Sequence, residues 1–347
     1  MGRAAFVAAL LPLAVAAGGG RAAAQRFAVG GPRVAFYNLA GEVRVEPGTG
    51  ADVVVEVTRG GSDAGSLRVE RVRTGDYDAV RVVYPDRRIV YERGGRMGST
   101  TVHVRGDGSF GYGHGDSREF TVAGWGTGTH AWADARVLVP AGRTVAIHQA
   151  VGSVTVANVN GELRVRTASA RVSTRDTRGT LDVDVGSGGV EVDGATGSVK
   201  VDAGSGGVRV SRVHGGELNV DTGSGGVTGA DVQVGTLAVD VGSGGVALDD
   251  VTADEVKVDA GSGSVRLGLR GDARSVRLES GSGGIRLAVP ESFGARVSID
   301  TGSGGIHLNV PVQARRSERS HLEGTIGDGR GTLSIETGSG GVTIERS

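Results

Sequence analysis

From Val137 to the C-terminus, apolar and polar residues alternate in short runs that glycine interrupts at regular intervals. Runs such as Leu181-Asp182-Val183-Asp184-Val185 and Val190-Glu191-Val192 place every second side chain on one face of a strand. Between each such pair stands a Gly-Ser-Gly-Gly tetrad, starting at Gly186, Gly204, Gly223, Gly242, Gly281, Gly302 and Gly338, with a Gly-Ser-Gly-Ser variant at Gly261. Successive starts differ by 18, 19, 19, 19, 20, 21 and 36 residues. The last interval is nearly two periods, which predicts one coil carrying an insertion over about 311–330. The phase runs backward in degenerate form to Ala168-Ser169-Ala170 and Val151-Gly152-Ser153.

Aligned by period, the units form apolar columns. Val183, Val201, Val220, Val239, Val258, Leu278, Ile299 and Ile335 make one; Val190, Val208, Val227, Val246, Val265, Ile285, Ile306 and Val342 make another. A third apolar point follows at Val213, Val232, Val251, Leu269, Val289 and Val310. Three short apolar faces per roughly 19 residues cannot bury themselves alone, but stacked coils make a continuous core. The predicted fold is all-β: a single-chain parallel β-solenoid over 137–347, taken as right-handed. The tetrads become its corners, where glycine supplies positive φ and lets stacked backbones approach. A phosphate loop is excluded, because neither a Gly-Lys-Ser/Thr sequence nor a helical pattern follows any tetrad.

Upstream, residues 25–136 read as irregular β-rich first coils or a cap, with strand-like pieces at Ala51–Thr58 and Ala79–Tyr84. They hold a glycine- and aromatic-rich insertion, Gly106–Trp132; beyond Trp132 the only aromatic among Phe, Tyr and Trp is Phe293. Residues 1–24 read as a secretory signal peptide: Arg3, an apolar run from Ala4 to Ala17, then Ala22-Ala23-Ala24 before Gln25. The apolar run is shorter than the roughly 20 residues that span a bilayer. An exported chain without a membrane span after processing is expected, in the periplasm, on the outer surface or secreted.

Composition narrows the classes. Glycine fills 64 of 347 positions, against a usual share of about 7 %. Disorder would need low β-branched content and no period, and the repeat shows the opposite. Cysteine is absent, which excludes disulfide scaffolds, cysteine–zinc sites and thiol catalysis. With 38 basic and 39 acidic residues the chain has no net attraction to nucleic acid.

The chain resembles the bacterial putative-adhesin domains, exported β-solenoid proteins of unknown function. The residues that carry this are Val137-Leu138-Val139-Pro140-Ala141-Gly142, Val151-Gly152-Ser153-Val154, Val159-Asn160-Gly161-Glu162-Leu163, the tetrads, and Gly324-Thr325-Ile326-Gly327-Asp328-Gly329 followed by Leu333-Ser334-Ile335-Glu336-Thr337. The likeness extends from about residue 32 to the C-terminus. It implies a cell-envelope or surface location and a non-catalytic role in adhesion or scaffolding, with an envelope protein, surface protein or glycan as partner. It supplies no cofactor and no catalytic residue.

Two groups of side chains carry candidate chemistry. An acidic residue stands two places before each tetrad: Asp184, Asp202, Asp221, Asp240, Asp259, Glu279, Asp300 and Glu336. Stacked about 5 Å apart, such carboxylates repel and raise one another's pKa. Asp184, Asp202, Asp221, Asp240 and Asp259 are thus metal candidates, for calcium first. The competing expectation is a solvated ladder offset by Lys200, Lys257 and Arg277, with Arg209, Arg266 and Arg286 on the next strand. The nonapeptide calcium-roll pattern is absent. The second group is Phe110, Tyr112, His114, Phe120, Trp125, His130 and Trp132. Of these, Tyr112, Phe120, Trp125 and Trp132 are the ligand-surface candidates, set against a reading in which they cover an end of the core. A polysaccharide-active β-helix is the enzymatic alternative, although no repeat position breaks pattern as a catalytic site would.

Overall fold

The computed structural model describes residues 24–94, 98–106, 108–110 and 117–347. All of the signal segment except Ala24, and also Tyr112 and His114, lie outside the described residues. The described chain contains strands and two short 3-10 turns, with no α-helix. None of its helices is long and apolar enough to cross a membrane.

The repeat builds a parallel β-solenoid. Each coil is one long bent strand followed by a tetrad, and each strand pairs in parallel with the next: Arg171–Val185, Val190–Ala203, Val208–Thr222, Val227–Val241 and Val246–Ala260. Along Val208–Thr222, Val208, Val210, Val213, Leu218, Val220 and Thr222 are buried, so all three apolar points face one core. The strands bend at a second corner, where Asn158, Asp176, Arg212, Asp231 and Asp250 take left-handed backbone angles (φ between 49° and 57°) and Gly194 joins them at 75°. Short Asn and Asp side chains tolerate this region best. Arg212 is the bulky exception, and its guanidinium reaches Asp193 at 2.9 Å and Asp176 at 3.4 Å.

The tetrad corners depend on close approach alone. None of their glycines has a positive φ in the left-handed range, contrary to half of the expectation for them. A Cβ on the first or third glycine would fall inside the carbonyl group of the preceding coil; at Gly186 it would lie 2.5 Å from the Ala168 oxygen. The fourth position is looser, with the nearest atom 3.1–3.6 Å from a hypothetical Cβ. That difference explains why Ser264 can stand in the fourth place at the variant corner. The residue before each tetrad is buried, and where it carries a hydroxyl it turns inward: Thr222 Oγ1 donates to the Gly225 carbonyl at 2.6 Å and Thr301 Oγ1 to Gly304 at 2.7 Å.

The stack departs from chain order at both ends. The coil strand Arg33–Pro47 pairs in parallel with Arg143–Ala157, so residues 48–142 are an excursion between adjacent coils. The excursion folds back over the outer side of Arg33–Pro47. Tyr77–Val83 and Trp132–Val139 lie parallel to it, and antiparallel Arg68–Thr74, Val53–Gly60 and Gln25–Val29 close the sheet outward. A three-stranded sheet of Arg88–Val90, Ser117–Ala123 and Ser99–Arg105 sits beside it.

At the other end the last segment does not stack last. Gly331–Thr337 pairs with Ser275–Ser280 on one side and Ala295–Thr301 on the other. Val342–Arg346 likewise lies between Ile285–Val289 and Ile306–Leu308. The C-terminal coil is therefore intercalated one place inside the end. The expected columns hold, but in the order Leu278, Ile335, Ile299. The hairpin Gln313–Ser317 and His321–Ile326 then covers Ala295–Thr301 with an antiparallel strand. Arg315 and Arg316 occupy the outermost, fully exposed strand, and charge on an edge strand discourages further pairing.

Candidate binding cleft in the cap

The acidic ladder forms in register. Asp184, Asp202, Asp221, Asp240, Asp259, Glu279, Glu336 and Asp300 are successive cross-strand partners. Burial, then repulsion from neighbouring carboxylates, raises the pKa of Asp221 and Asp259. Asp184 is also raised by burial, against the pull of Arg166. Both ends of the ladder meet a basic side chain. Arg166 lies 2.9 Å from Asp182 and 3.6 Å from Asp184, and His321 Nδ1 lies 2.6 Å from Asp300. The Asp300 carboxylate raises the His321 pKa.

Local compensation differs from the expected pattern. Arg277 meets Glu279, as anticipated, but Arg266 turns to Asp249 at 3.0 Å and Arg286 to Glu345 at 3.5 Å, away from the ladder. The ladder offers one carboxylate per coil. Among the described residues no three acidic or imidazole groups converge on a possible metal position.

The aromatic group divides. Trp132, expected on a ligand surface, is instead core: it is 8 % exposed, edge-on to Tyr91 at 5.9 Å and under the Arg93 guanidinium at 5.2 Å. It opens the strand Trp132–Val139 on the phase of Asp134 and Arg136, opposite the buried Ala133, Ala135 and Val137, so its burial comes from Tyr91 and Arg93 rather than from the strand period. His130 pairs with Glu92 at 2.7 Å, which raises the imidazole pKa. Trp125 is 72 % exposed, alone on a glycine-flanked turn that Arg88 fastens through the Thr127 carbonyl at 2.7 Å. Phe110 and Phe120 are half-buried and line a cavity of about 400 Å³.

That cavity lies between the outer coil and the small sheet of the cap. Its floor is Tyr37, Asn38, Leu39 and Tyr84; one wall carries Arg81, the other Arg105, Phe110, Arg118 and Phe120. Arg81 is the cross-strand partner of Tyr37, while Val104 pairs with both Arg118 and Phe110, so pairing alone brings these side chains together. Arg81 Nη1 donates to the Gly106 carbonyl at 2.8 Å and ties the walls together. Arg105 Nη1 holds its own turn through Ser109 Oγ at 3.3 Å and the Phe110 carbonyl at 3.2 Å. The Tyr37 ring stacks on His148 at 4.6 Å, and Phe110 meets the same imidazole edge-on at 6.0 Å.

Behind the floor is a buried polar network that sequence reading missed. Asn38 Nδ2 donates to the carbonyls of Ala40 (3.0 Å) and Ala133 (2.7 Å) and to Gln149 Oε1 (3.0 Å). Gln149 Nε2 donates to the Gly41 and Val151 carbonyls at 3.0 and 2.6 Å. The Tyr84 hydroxyl donates to Asn38 Oδ1 at 2.8 Å, and burial pushes its pKa far up. Asn38 and Gln149 are cross-strand partners where the coils join the excursion. An isolated Asn and Gln far apart in sequence leave no periodic signal.

The fold and cleft define a parallel β-solenoid closed by antiparallel caps, with an aromatic and basic recess at the cap. The chain belongs to the Toastrack DUF4097 family, whose model matches residues 171–345, half of the 347-residue chain. The match begins later than the likeness read from sequence, which reached back to about residue 32. A solved structure described as a "putative cell adhesion protein" from Clostridium sporogenes ATCC 15579 is 9 % identical over 93 % of this chain and 100 % of its own. Its TM-score of 0.20 carries nothing over to this chain. No curated protein matches.

Proposed function

We propose that this chain is an exported, non-enzymatic scaffold of the cell envelope, with the solenoid as a stiff spacer and the cap as its binding end. The carrying observation is where the recess sits. The inward apolar positions and the carboxylate ladder recur from one coil to the next, whereas the aromatic and basic cleft is built where the repeat is interrupted. Solenoids commonly use such departures from the repeat for partners, and function tends to sit on excursions from a rigid scaffold. The signal-like leader supports export, and membership of a family resembling adhesin domains fits a structural role.

Two measurements test this reading. The mature chain should fractionate with the envelope and, when purified, bind isolated envelopes through the cap. Recovery in the cytoplasm, or turnover of any polysaccharide by the purified protein, would sink it.

A further inference from the structure

We infer that the cap cleft takes a carboxylate-bearing sugar, one acidic residue of an anionic polysaccharide, with the carboxylate on its guanidinium groups and the ring on its aromatic faces. This rests on the reading of the cap as the binding end and names what binds there.

The charge of the lining selects the ligand. In a chain of 38 basic and 39 acidic residues, this cavity has three arginines, and no Asp or Glu lines it among the described residues. Arg81 is paired with Glu70, at 2.6 Å from outside the lining, with Nη1 turned to the Gly106 carbonyl, and Arg105 spends donors on its own turn. Arg118 is exposed and makes no ion pair among the described residues. Guanidinium is the planar fork that binds carboxylate in pairs of hydrogen bonds. The larger groove of the cap, about 710 Å³, serves as a contrast: there Glu42, Glu46, Glu56 and Asp134 face Arg44, Arg59, Arg93 and Arg136. Its charges already pair, as in Arg93 with Asp134 and Arg136 with Glu46, both at 2.7 Å, so it offers an anion little.

The remaining lining sets the body of the ligand. Phe110 and Phe120 present half-buried rigid rings, favoured contacts for a flat or apolar face, over a floor that the buried Tyr37 completes. About 400 Å³ falls in the range of small-ligand sites, near 300–1,000 Å³, so it suits a unit or two of a chain. A long acidic peptide has the charge but no ring face to place against these side chains.

The test is calorimetric titration of the mature full chain with a short oligogalacturonate, a neutral oligosaccharide of equal length and an oligoglutamate of equal charge. The oligogalacturonate should bind best, by about tenfold over either control, and weaken with added salt. Arg118→Ala should lower that affinity about tenfold while leaving the melting curve unchanged, because the exposed Arg118 side chain makes no ion pair among the described residues. Hydrogen exchange should show protection over Ser117–Ala123 on binding, a readout independent of the variant. Equal binding of oligoglutamate reduces the site to bare charge, and equal binding of the neutral sugar removes the role of the guanidinium groups; either result overturns the inference. So does failure of the oligogalacturonate to bind. If envelopes still bind the chain and the oligogalacturonate does not compete, only the ligand class falls; if envelopes do not bind, the scaffold reading falls too.

Discussion

The middle of the solenoid and its two ends meet the same need, burying a strand edge and an apolar face, in different ways. In the middle, translation solves it: the neighbour above and the neighbour below are copies, so one residue choice per position serves every coil. Val220, Val239 and Val258 touch their equivalents, and first and third glycines lie over first and third glycines. At the ends the copy on one side is missing, and each end needs unique residues. The N-terminal end uses an excursion of 48–142 and a buried amide network; the C-terminal end uses intercalation and a hairpin. Repetition leaves little room for a site, and an end has to depart from it.

The largest test of this contrast is at the C-terminal end. Removing residues 331–347 takes out a coil with neighbours on both sides, including Leu333, Ile335, Val342 and Ile344, all buried. Four such side chains at about 1.5–3 kcal/mol each set an expected loss of about 6 kcal/mol or more. Thermal unfolding followed by circular dichroism should show a large drop in melting temperature. A truncated chain that melts like the full one would mean that the segment stacks at the end, in chain order.

Next comes a pair of tryptophans. Trp132→Ala empties a buried site in the cap and should cost about 3–5 kcal/mol in denaturant unfolding. Trp125→Ala removes an exposed ring and should stay within about 0.5 kcal/mol. Equal effects would contradict the division of the aromatic group into core and surface.

The corners offer a within-tetrad comparison of intermediate size. Gly206→Ala drives a Cβ into the Gly188 carbonyl, whereas the nearest atom to a Cβ at Gly207 is 3.6 Å away. The expected costs are about 3 kcal/mol for the first and under about 1 kcal/mol for Gly207→Ser. A similar cost at both positions would restore a general need for glycine freedom at the corner.

Gln149→Leu probes the N-terminal end. It leaves the Gly41 and Val151 carbonyls without their amide donor in a dry interior, for an expected loss of about 1–3 kcal/mol. Little change in the urea midpoint would show that the network does not hold the coil to the excursion.

Legibility in the sequence follows the same division. The coils were readable because their physics is periodic: Val183 to Ile335 could be aligned without knowing what they touch. The intercalation was not, because Ile299 and Ile335 satisfy the same column in either order, and only the 36-residue interval hinted that the last unit differs. At the cap, the composition of Gly106–Trp132 pointed to the right region. It could not separate Trp132, which faces a core, from Phe120, which faces a cleft, since Trp132 is covered by Tyr91 and Arg93, about 40 residues earlier in the chain. Arg81 and Arg118 belong to different stretches, and only the fold unites them.

The smallest effect concerns the ladder, where repetition itself is the burden. Stacking equivalents helps valine and hurts aspartate. Burial and the neighbouring Asp202 and Asp240 raise the Asp221 pKa, so the folded chain holds this proton more tightly than the unfolded chain. The unfolded state then binds fewer protons, and stability from this group rises as pH falls from neutral through the raised value toward the unfolded one, near 3.9. His321 at the ladder's end has the same sign in a higher window: its pKa is raised by Asp300, so its contribution is complete below about 6.5 and fades as pH climbs through the folded value. Asp221→Asn should therefore stabilise the chain slightly at pH 7, by under about 0.5 kcal/mol once solvent screening is counted, and should gain nothing at pH 4. Melting curves at both pH values, with and without added salt, would read it. A loss of stability at pH 7 would mean that the carboxylate makes a favourable contact outweighing the repulsion of its copies.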